Sequence, residues 1–440
     1  MGNESAASDL QQRASALLSR FAYAALDEHS DRDLVDLLRA TEELKSAAAA
    51  LQARAAATMA ARDDCPAGRR SAGSQVGLAR RESPYRGREL TSFATRLTED
   101  LPRVLDALTF GRLNERRAMV LAAELADLSP EHRAEADERL AGNPSTLDGL
   151  GDLALRRAAR RVAYELDPEA PVRRRQKART TRRVSSRLSF GDGMSTISGW
   201  VEDLAAAAIM TSLRDGADRI LAQDDPDDDR THAQIVADLF VSRLTNQKHA
   251  QATPVAVKLL VSAETLLGDE DTPADVEHIG PVPASVARQL VGLSPDLRST
   301  IQRFFVAAGS GTLVAMESGA RGFTGQLRDF VLTRDRWTCR TPYCDAPARH
   351  VDHPVPVAEG GETSAPNSGG ACAGCNYTKE HPGWTYTPVP RWPADPRPHE
   401  LEIVTPTGHV YRALAPPGPR PPPTPEPRRI RWDGPAKYAA

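Results

Sequence analysis

Residues 349–376 read RHVDHPVPVAEGGETSAPNSGGACAGCN, and most of the side chains able to do chemistry lie in or beside this stretch. Cys372 and Cys375 form a C-x2-C pair, and Cys339 and Cys344 form a C-x4-C pair upstream. Four thiolates on two short knuckles suit a tetrahedral zinc ion. A reducing compartment disfavours structural disulfides, so a clustered quartet points to metal. The surrounding segment is small and poor in aromatics, and a metal clip would supply folding free energy that its core lacks. The fifth cysteine, Cys65, stands alone in RDDCPAGRR.

Between and beside the knuckles stand Asp352, His353, Asn367 and Asn376. The Asp352 carboxylate and the Asn376 amide oxygen are hard donors, suited to a divalent ion such as Mg2+ or Mn2+. A neutral histidine such as His353 takes a proton from water near neutral pH. Phosphodiester hydrolysis needs such a base, and an ion to stabilise charge on the phosphate and the leaving oxygen. Lys379 lies one turn into the helix expected at CNYTKEH, where a lysine can touch phosphate. Taken one at a time these residues have plainer readings. Asp352 would pair with Arg349, His353 would be a satisfied buried histidine, Asn367 a turn residue and Lys379 a solvated helix residue. On a straight strand Asp352 and His353 would face opposite ways, so their convergence requires a bend at Pro354.

The elements that must carry these residues come last in the chain. Ser30, with Asp33 three residues on, is a weak capping box opening a long helix. Leu34, Leu37, Thr41, Leu44, Ala48, Leu51 and Ala55 then recur at alternating three- and four-residue spacing, the seam of a helical hairpin or of a dimer. Further helices are expected at about 101–128, 130–140 and 145–166. Seven Arg or Lys and no acid fall between Arg173 and Arg183, which reads as a solvated linker or a phosphate-binding run. Residues 184–201 alternate around Gly191-Asp192-Gly193 as a hairpin. Residues 254–263 read as a buried strand, and GPVPASVARQL opens another helix. From about Arg321 long periodic helices stop, and the end, PPGPRPPPTPEPRR, is a polyproline-like tail.

Set in order, Asp352-His353, Gly360-Gly361-x-Thr363, Asn367 and Cys372-x-x-Cys375-Asn376-x-x-Lys379 resemble the HNH endonuclease motif in its zinc-ribbon form. The lead-in LRDFVLTRDRWTCRTPYCDAPA and the exit Gly383-Trp384 resemble it too. The resemblance implies a ββα-metal finger with His353 as general base, and Asp352 and Asn376 holding a catalytic Mg2+ or Mn2+. It makes Asn367 the residue that fixes the loop and orients His353, and gives the four cysteines a structural zinc. Many relatives carry histidine at the position of Asn376; asparagine there weakens nitrogen ligation and favours Mg2+. Upstream, ARRVAYELDPEA, RRVSSRLSFGDGMSTISGWV, ADLFVSRL, AETLLG and GPVPASVARQL resemble an actinobacterial family, the 13E12-repeat family, in which a domain of unknown function precedes an HNH domain.

The expected fold class is α+β. A flexible N-terminus (1–29) precedes a mostly α-helical region with a small β element (30–320), a ββα-metal domain (321–392) and a proline-rich tail (393–440). The expected function is metal-dependent hydrolysis of DNA phosphodiester bonds, with structural zinc and catalytic Mg2+ or Mn2+. The alternatives are a non-catalytic zinc ribbon that binds nucleic acid, and an interaction protein dominated by its helices. With 56 Lys and Arg against 59 Asp and Glu, the formal net charge is −3, so affinity for DNA must come from local patches. Self-association would run through the N-terminal helices. No eighteen-residue apolar run and no basic-then-apolar leader occur, so neither a membrane span nor a secretory signal is expected, and a cytoplasmic location follows by default.

Overall fold

The computed structural model describes residues 25–188, 193–223, 225–246, 258–262, 265–266, 270–277, 279–292, 322–390 and 397–416, with short pieces between 8 and 21. It is mostly helical with four small antiparallel sheets among the described residues, an α+β fold. No described helix is long and apolar enough to cross a membrane. The chain forms two compact units. One comprises Met1–Arg62 and Leu90–Arg173; the other comprises Asp63–Glu89 and Arg174–Ala440.

The first unit is helical. Helix α1 (Asp31–Arg62) opens on the expected capping box: Asp33 N–H donates to Ser30 Oγ at 3.3 Å, and Ser30 N–H returns to the Asp33 carboxylate at 3.3 Å. Its buried face is not the expected leucine seam. Ser46, Ala49, Ala50, Ala53, Ala56 and Ala60 are buried, while Leu37, Leu44 and Leu51 are exposed. Small side chains let a partner helix approach closely, so the alanine face rather than the leucine face was available for packing. The stretch expected as one helix over 101–128 is two, Pro102–Thr109 and Glu115–Glu124, because Asn114 caps the second by accepting from Arg117 N–H at 3.0 Å. The helix expected at 130–140 spans Pro130–Ala141, capped by Ser129. The one expected from 145 is a 3-10 turn, Pro144–Leu147, followed by a helix over Asp152–Leu166. Leu97, Leu101, Leu108, Leu121, Leu125 and Leu155 are fully buried.

The second unit starts with a helix that has no strong periodic signal, α2 (Pro66–Ala79), capped by Cys65, and the first turns of α3 (Pro84–Asp100). The basic run is not an open linker. Its first part is helix α4 (Ala170–Thr180), and its last residue begins strand β1 (Arg183–Leu188), paired with β2 (Ser195–Trp200). This is the expected hairpin, although Gly191 and Asp192 lie outside the described residues. Of the strand expected over 254–263, Leu259–Leu260 pairs in a three-stranded sheet, and residues 254–257 and 263 lie outside the described residues.

The C-terminal elements are a helix, α5 (Gly325–Arg334), a two-stranded ribbon of β3 (His350–Asp352) and β4 (Gly369–Ala371), and a short helix, α6 (Ala373–Lys379). A sheet of β5 (Thr385–Pro388), β6 (Glu400–Val404) and β7 (Val410–Leu414) follows. Two of its strands lie where a proline-rich tail was expected from 393. The alternation that places Leu401 and Ile403 inside is brief, and the prolines around it mask it. PPGPRPPPTPEPRR itself lies almost wholly outside the described residues.

Helix α2 packs on this C-terminal sheet: Leu78 shares a buried cluster with Trp384, Leu401, Ile403 and Ala413. Trp384 Nε1–H donates to Ser71 Oγ at 2.8 Å, and the hydroxyls of Ser74 and Thr378 lie 3.3 Å apart.

Candidate metal centre and nuclease site

The two knuckles meet. The Sγ atoms of Cys339, Cys344, Cys372 and Cys375 all lie within 4.8 Å of one another, with Cys344 Sγ 3.9 Å from Cys372 Sγ and 3.7 Å from Cys375 Sγ. Tetrahedral zinc with arms of about 2.3 Å sets its sulfurs about 3.8 Å apart. The quartet can therefore hold a metal ion such as zinc. Backbone bonds shape the first knuckle: Cys339 N–H donates to Ala346 O at 2.9 Å and Cys344 N–H to Thr341 O at 3.0 Å. Cys372 caps α6, its Sγ accepting from Cys375 N–H at 3.4 Å. Hydrogen bonds from Cys339, Cys344 and Cys375 push the Cys372 thiol below the usual thiol range.

A buried charge network fixes the knuckles to the ribbon. Asp335 is fully buried; its Oδ1 takes Arg334 Nε and Arg340 Nη1 at 2.8 Å each, and its Oδ2 takes Gly370 N–H at 2.8 Å. Burial alone would raise this carboxyl, but Arg334 and Arg340 outweigh it and hold it far below the carboxylate range. Arg334 also donates to Ala365 O and Ser368 O, and Arg340 to His399 O and Ala413 O. No motif pointed to this network, because its members are scattered over five segments.

Asp352 ends strand β3 and His353 follows it, ahead of Pro354. The His353 ring lies 4.4 Å from the Phe323 ring, centroid to centroid, and its Nε2 lies 2.9 Å from Thr363 Oγ1. Burial lowers the His353 pKa below the ordinary histidine value; Asp352 pulls it up and Lys379 pushes it down by less. Thr363 had no assigned role in the sequence, and nothing in its spacing marks it as a partner of the imidazole.

Asn367 is buried and clamps the loop. Its Oδ1 accepts Val355 N–H at 2.9 Å, and its Nδ2 donates to Val355 O at 2.9 Å and Glu362 O at 3.0 Å. It thus acts on the backbone two residues past His353, not on the ring. Gly361 has to be glycine here, since a Cβ would fall 1.9 Å from Val355 O.

Lys379 turns inward. Its ammonium lies 2.7 Å from Asp352 Oδ2, in an ion pair without hydrogen-bond alignment, and it donates to His353 O at 2.9 Å. Asp352 therefore pairs with Lys379 and not with Arg349. Asn376 Oδ1 is buried and makes no hydrogen bond. Among the described residues, Asp352 Oδ2 and Asn376 Oδ1 are the carboxylate and amide oxygens left in this condition.

The family described as a domain of unknown function, DUF222, matches residues 37–335, more than half of the chain. The chain belongs to the DUF222 family. No curated protein and no solved structure matches it. The DUF222 match ends at Asp335, so all four clustered cysteines, Asp352, His353, Asn367, Asn376 and Lys379 lie beyond it. It does include α2, α5 and both acidic and basic members of the Arg334–Asp335 pair.

Proposed function

We propose that this DUF222 protein is a metal-dependent HNH endonuclease that hydrolyses DNA phosphodiester bonds. The observation that carries the reading is the buried Asn376 Oδ1, which makes no hydrogen bond, on the helix whose Lys379 is ion-paired with Asp352 Oδ2 at 2.7 Å. Leaving a buried amide oxygen unpaired costs about 1–3 kcal/mol. An amide oxygen and a carboxylate are donors that a hard cation takes, so both residues fit an ion-binding role. Asp352 and Asn376 would hold Mg2+ or Mn2+, which when bound supplies charge stabilisation at the phosphate and leaving oxygen.

The chain's own part is proton transfer and positioning. With Thr363 accepting the Nε2 proton, His353 keeps its lone pair on Nδ1, free to take a proton from water. Its lowered pKa keeps that lone pair available at neutral pH and slightly below, so the acid limb of the rate should fall below about 6.5. Asn367 is a positioning residue that holds the loop on which the imidazole stands. Lys379 can contact a phosphate only by exchanging the Asp352 carboxylate for it. The exposed Leu37, Leu44 and Leu51, seven residues apart, support self-association through α1.

The Lys379–Asp352 ion pair favours a second reading, a non-catalytic zinc ribbon, because the carboxylate already has a counter-charge. Plasmid cleavage with Mg2+ or Mn2+ separates the two. The parent should cut, and His353→Ala should lose on the order of a hundred- to ten-thousand-fold in rate while keeping its zinc and its melting profile. A parent that binds DNA but never cuts would leave the second reading standing.

A further inference from the structure

The second unit carries three arginine–aromatic pairs, two of them joined by direct contact. On α6, next to Asn376, Tyr377 is 61% exposed, with the Arg70 guanidinium 5.9 Å from its ring centroid. One turn earlier on the same helix, Gly374 is covered by Arg88: a Cβ at Gly374 would lie 3.3 Å from Arg88 Nη2. Arg88 reaches it across Gly73, where a Cβ would strike its Cγ at 2.7 Å. Two glycines thus clear the way for one guanidinium to reach α6. Arg88 in turn stands 5.9 Å from the ring of Tyr85, which is 65% exposed. The Tyr85 hydroxyl bonds to Glu89. The third pair stands on the β1–β2 hairpin of the same unit. There Arg183 lies directly opposite Trp200 in the strand register, 5.7 Å from its ring, and Trp200 is 56% exposed. Arg187 and Thr196 continue the same face of the hairpin, and the segment 174–187 has no acidic residue.

Exposed rings met singly are ordinary, but several rings each set against an arginine mark a surface that can meet a partner. Each ring has a guanidinium beside it, with Glu89 also meeting Tyr85, and the guanidinium set favours a polyanion. Rings interleaved with arginines are the pattern that grips unpaired bases: a ring face stacks on a base while the guanidinium neutralises a phosphate. In a duplex the base faces are already stacked, and only the phosphates would be met. We infer that the strip Tyr377–Arg88–Tyr85–Arg183–Trp200 binds a single-stranded stretch of DNA and leads it to α6. The inference deepens the nuclease reading by naming the form of its substrate, and it rests on that reading only for the cleavage of the bound strand.

The test is fluorescence anisotropy of the full-length, zinc-loaded protein without added Mg2+. The probes are a labelled oligo(dT) strand of about twenty nucleotides, a duplex of the same length, and anionic phosphatidylserine vesicles. The parent should prefer the strand. Tyr85→Ala and Trp200→Ala should each weaken strand binding about fivefold or more and leave duplex binding unchanged, and Tyr85→Phe and Trp200→Phe should restore it. Arg183→Gln should flatten the dependence of log K on log salt by about 0.7. All three side chains are on the surface, and circular dichroism confirms that the variants fold. Preference for duplex, equal loss on strand and duplex, unchanged binding by the alanine variants, or capture by vesicles in place of the strand would each overturn the inference. A parent that binds the strand through these rings yet, with Mg2+ or Mn2+ added, cuts neither the strand nor plasmid would sink the nuclease reading alone. A parent that cuts while the alanine variants bind the strand normally would sink the strip alone.

Discussion

In the helical unit the fully buried side chains are leucines: Leu97, Leu101, Leu108, Leu121, Leu125 and Leu155. From just before α5 to α6 a small apolar cluster of Phe323, Leu327, Phe330, Val331 and Ala365 is joined by a buried set of another kind, with Arg334, Asp335, Arg340, Asn367, Ser368 and three of the four clustered cysteines. The first region gathers enough long helix to bury apolar surface from several directions. The second is made of a ten-residue helix, three-residue strands and a seven-residue helix, and such pieces bury little hydrocarbon. Sulfur and charge supplement it. Buried ion pairs add little net stability over an apolar core, because desolvation offsets their attraction. What they provide is direction. Arg334 donates only where Ala365 O, Ser368 O and Asp335 stand, and Arg340 only where Asp335, His399 O and Ala413 O stand. The proposed site, with Asp352, His353 and Asn376 in fixed relation, would need that direction more than a large core.

The contrast can be broken most sharply at the sulfurs. Cys372→Ser should lose the metal, unfold the segment from α5 to β7 and end any activity, since structural zinc contributes on the order of 10 kcal/mol. The helical unit should keep its helicity. Elemental analysis with hydrogen exchange resolved along the chain reads both halves of this statement. Asp352→Ala should behave oppositely, keeping zinc and protection while failing to cut.

The charge network comes next. Asp335→Ala leaves two buried guanidinium groups without their carboxylate, and breaking such an arrangement costs about 3–5 kcal/mol. In the helical unit, Leu121→Ala should cost about 2–5 kcal/mol through the cavity it opens. The two variants differ in acid. Asp335 is held well below the carboxylate range in the folded state, so its contribution is present above the unfolded pKa and is lost as pH falls toward the folded one. Melting of the parent and of Asp335→Ala should therefore converge in strong acid, while Leu121→Ala stays displaced from the parent at every pH.

His399 adds a second pH effect. Burial first, then Arg334 and Arg340, push its pKa down to about 3. The unfolded chain takes up its proton near the ordinary value of about 6.5, so the unfolded state binds more protons between the two. Stability of the β5–β7 sheet should fall as pH drops through that window, and His399→Gln should flatten the fall. An equal slope in both proteins would assign the acid sensitivity to other groups.

Several parts of this molecule were legible in the residues alone. The Ser30 capping box, the cysteine quartet and the order Asp352, His353, Asn367, Asn376 depend on short spacings, and short spacings survive folding. The buried face of α1 was not legible, because periodicity marks an apolar stripe without saying that alanines will be preferred to leucines at a close crossing. The network around Asp335 was not legible either: arginines and aspartates are ordinary surface residues until a fold encloses them. Thr363 stood within the recognised motif, yet only the bend after His353 makes it the partner of the imidazole. The strands β6 and β7 were hidden by their proline-rich surroundings.

The smallest effect expected is also the one that tests the least legible contact. Helix α2 is read from sequence as part of a long helical region, but it packs on the C-terminal sheet. Ser71 has no apolar area to lose, so Ser71→Ala costs nothing through packing. It does remove the acceptor of the buried Trp384 Nε1–H, and an indole N–H left unpaired in a core costs about 1–3 kcal/mol. That loss should show as faster amide exchange in β5, β6 and β7, with Leu97, Leu101 and Leu121 as protected as in the parent. Ser71→Thr, which keeps a hydroxyl, should recover part of it. Faster exchange confined to the helical unit would place α2 with the helices after all, and the comparison between the two regions would have to be redrawn at Pro66.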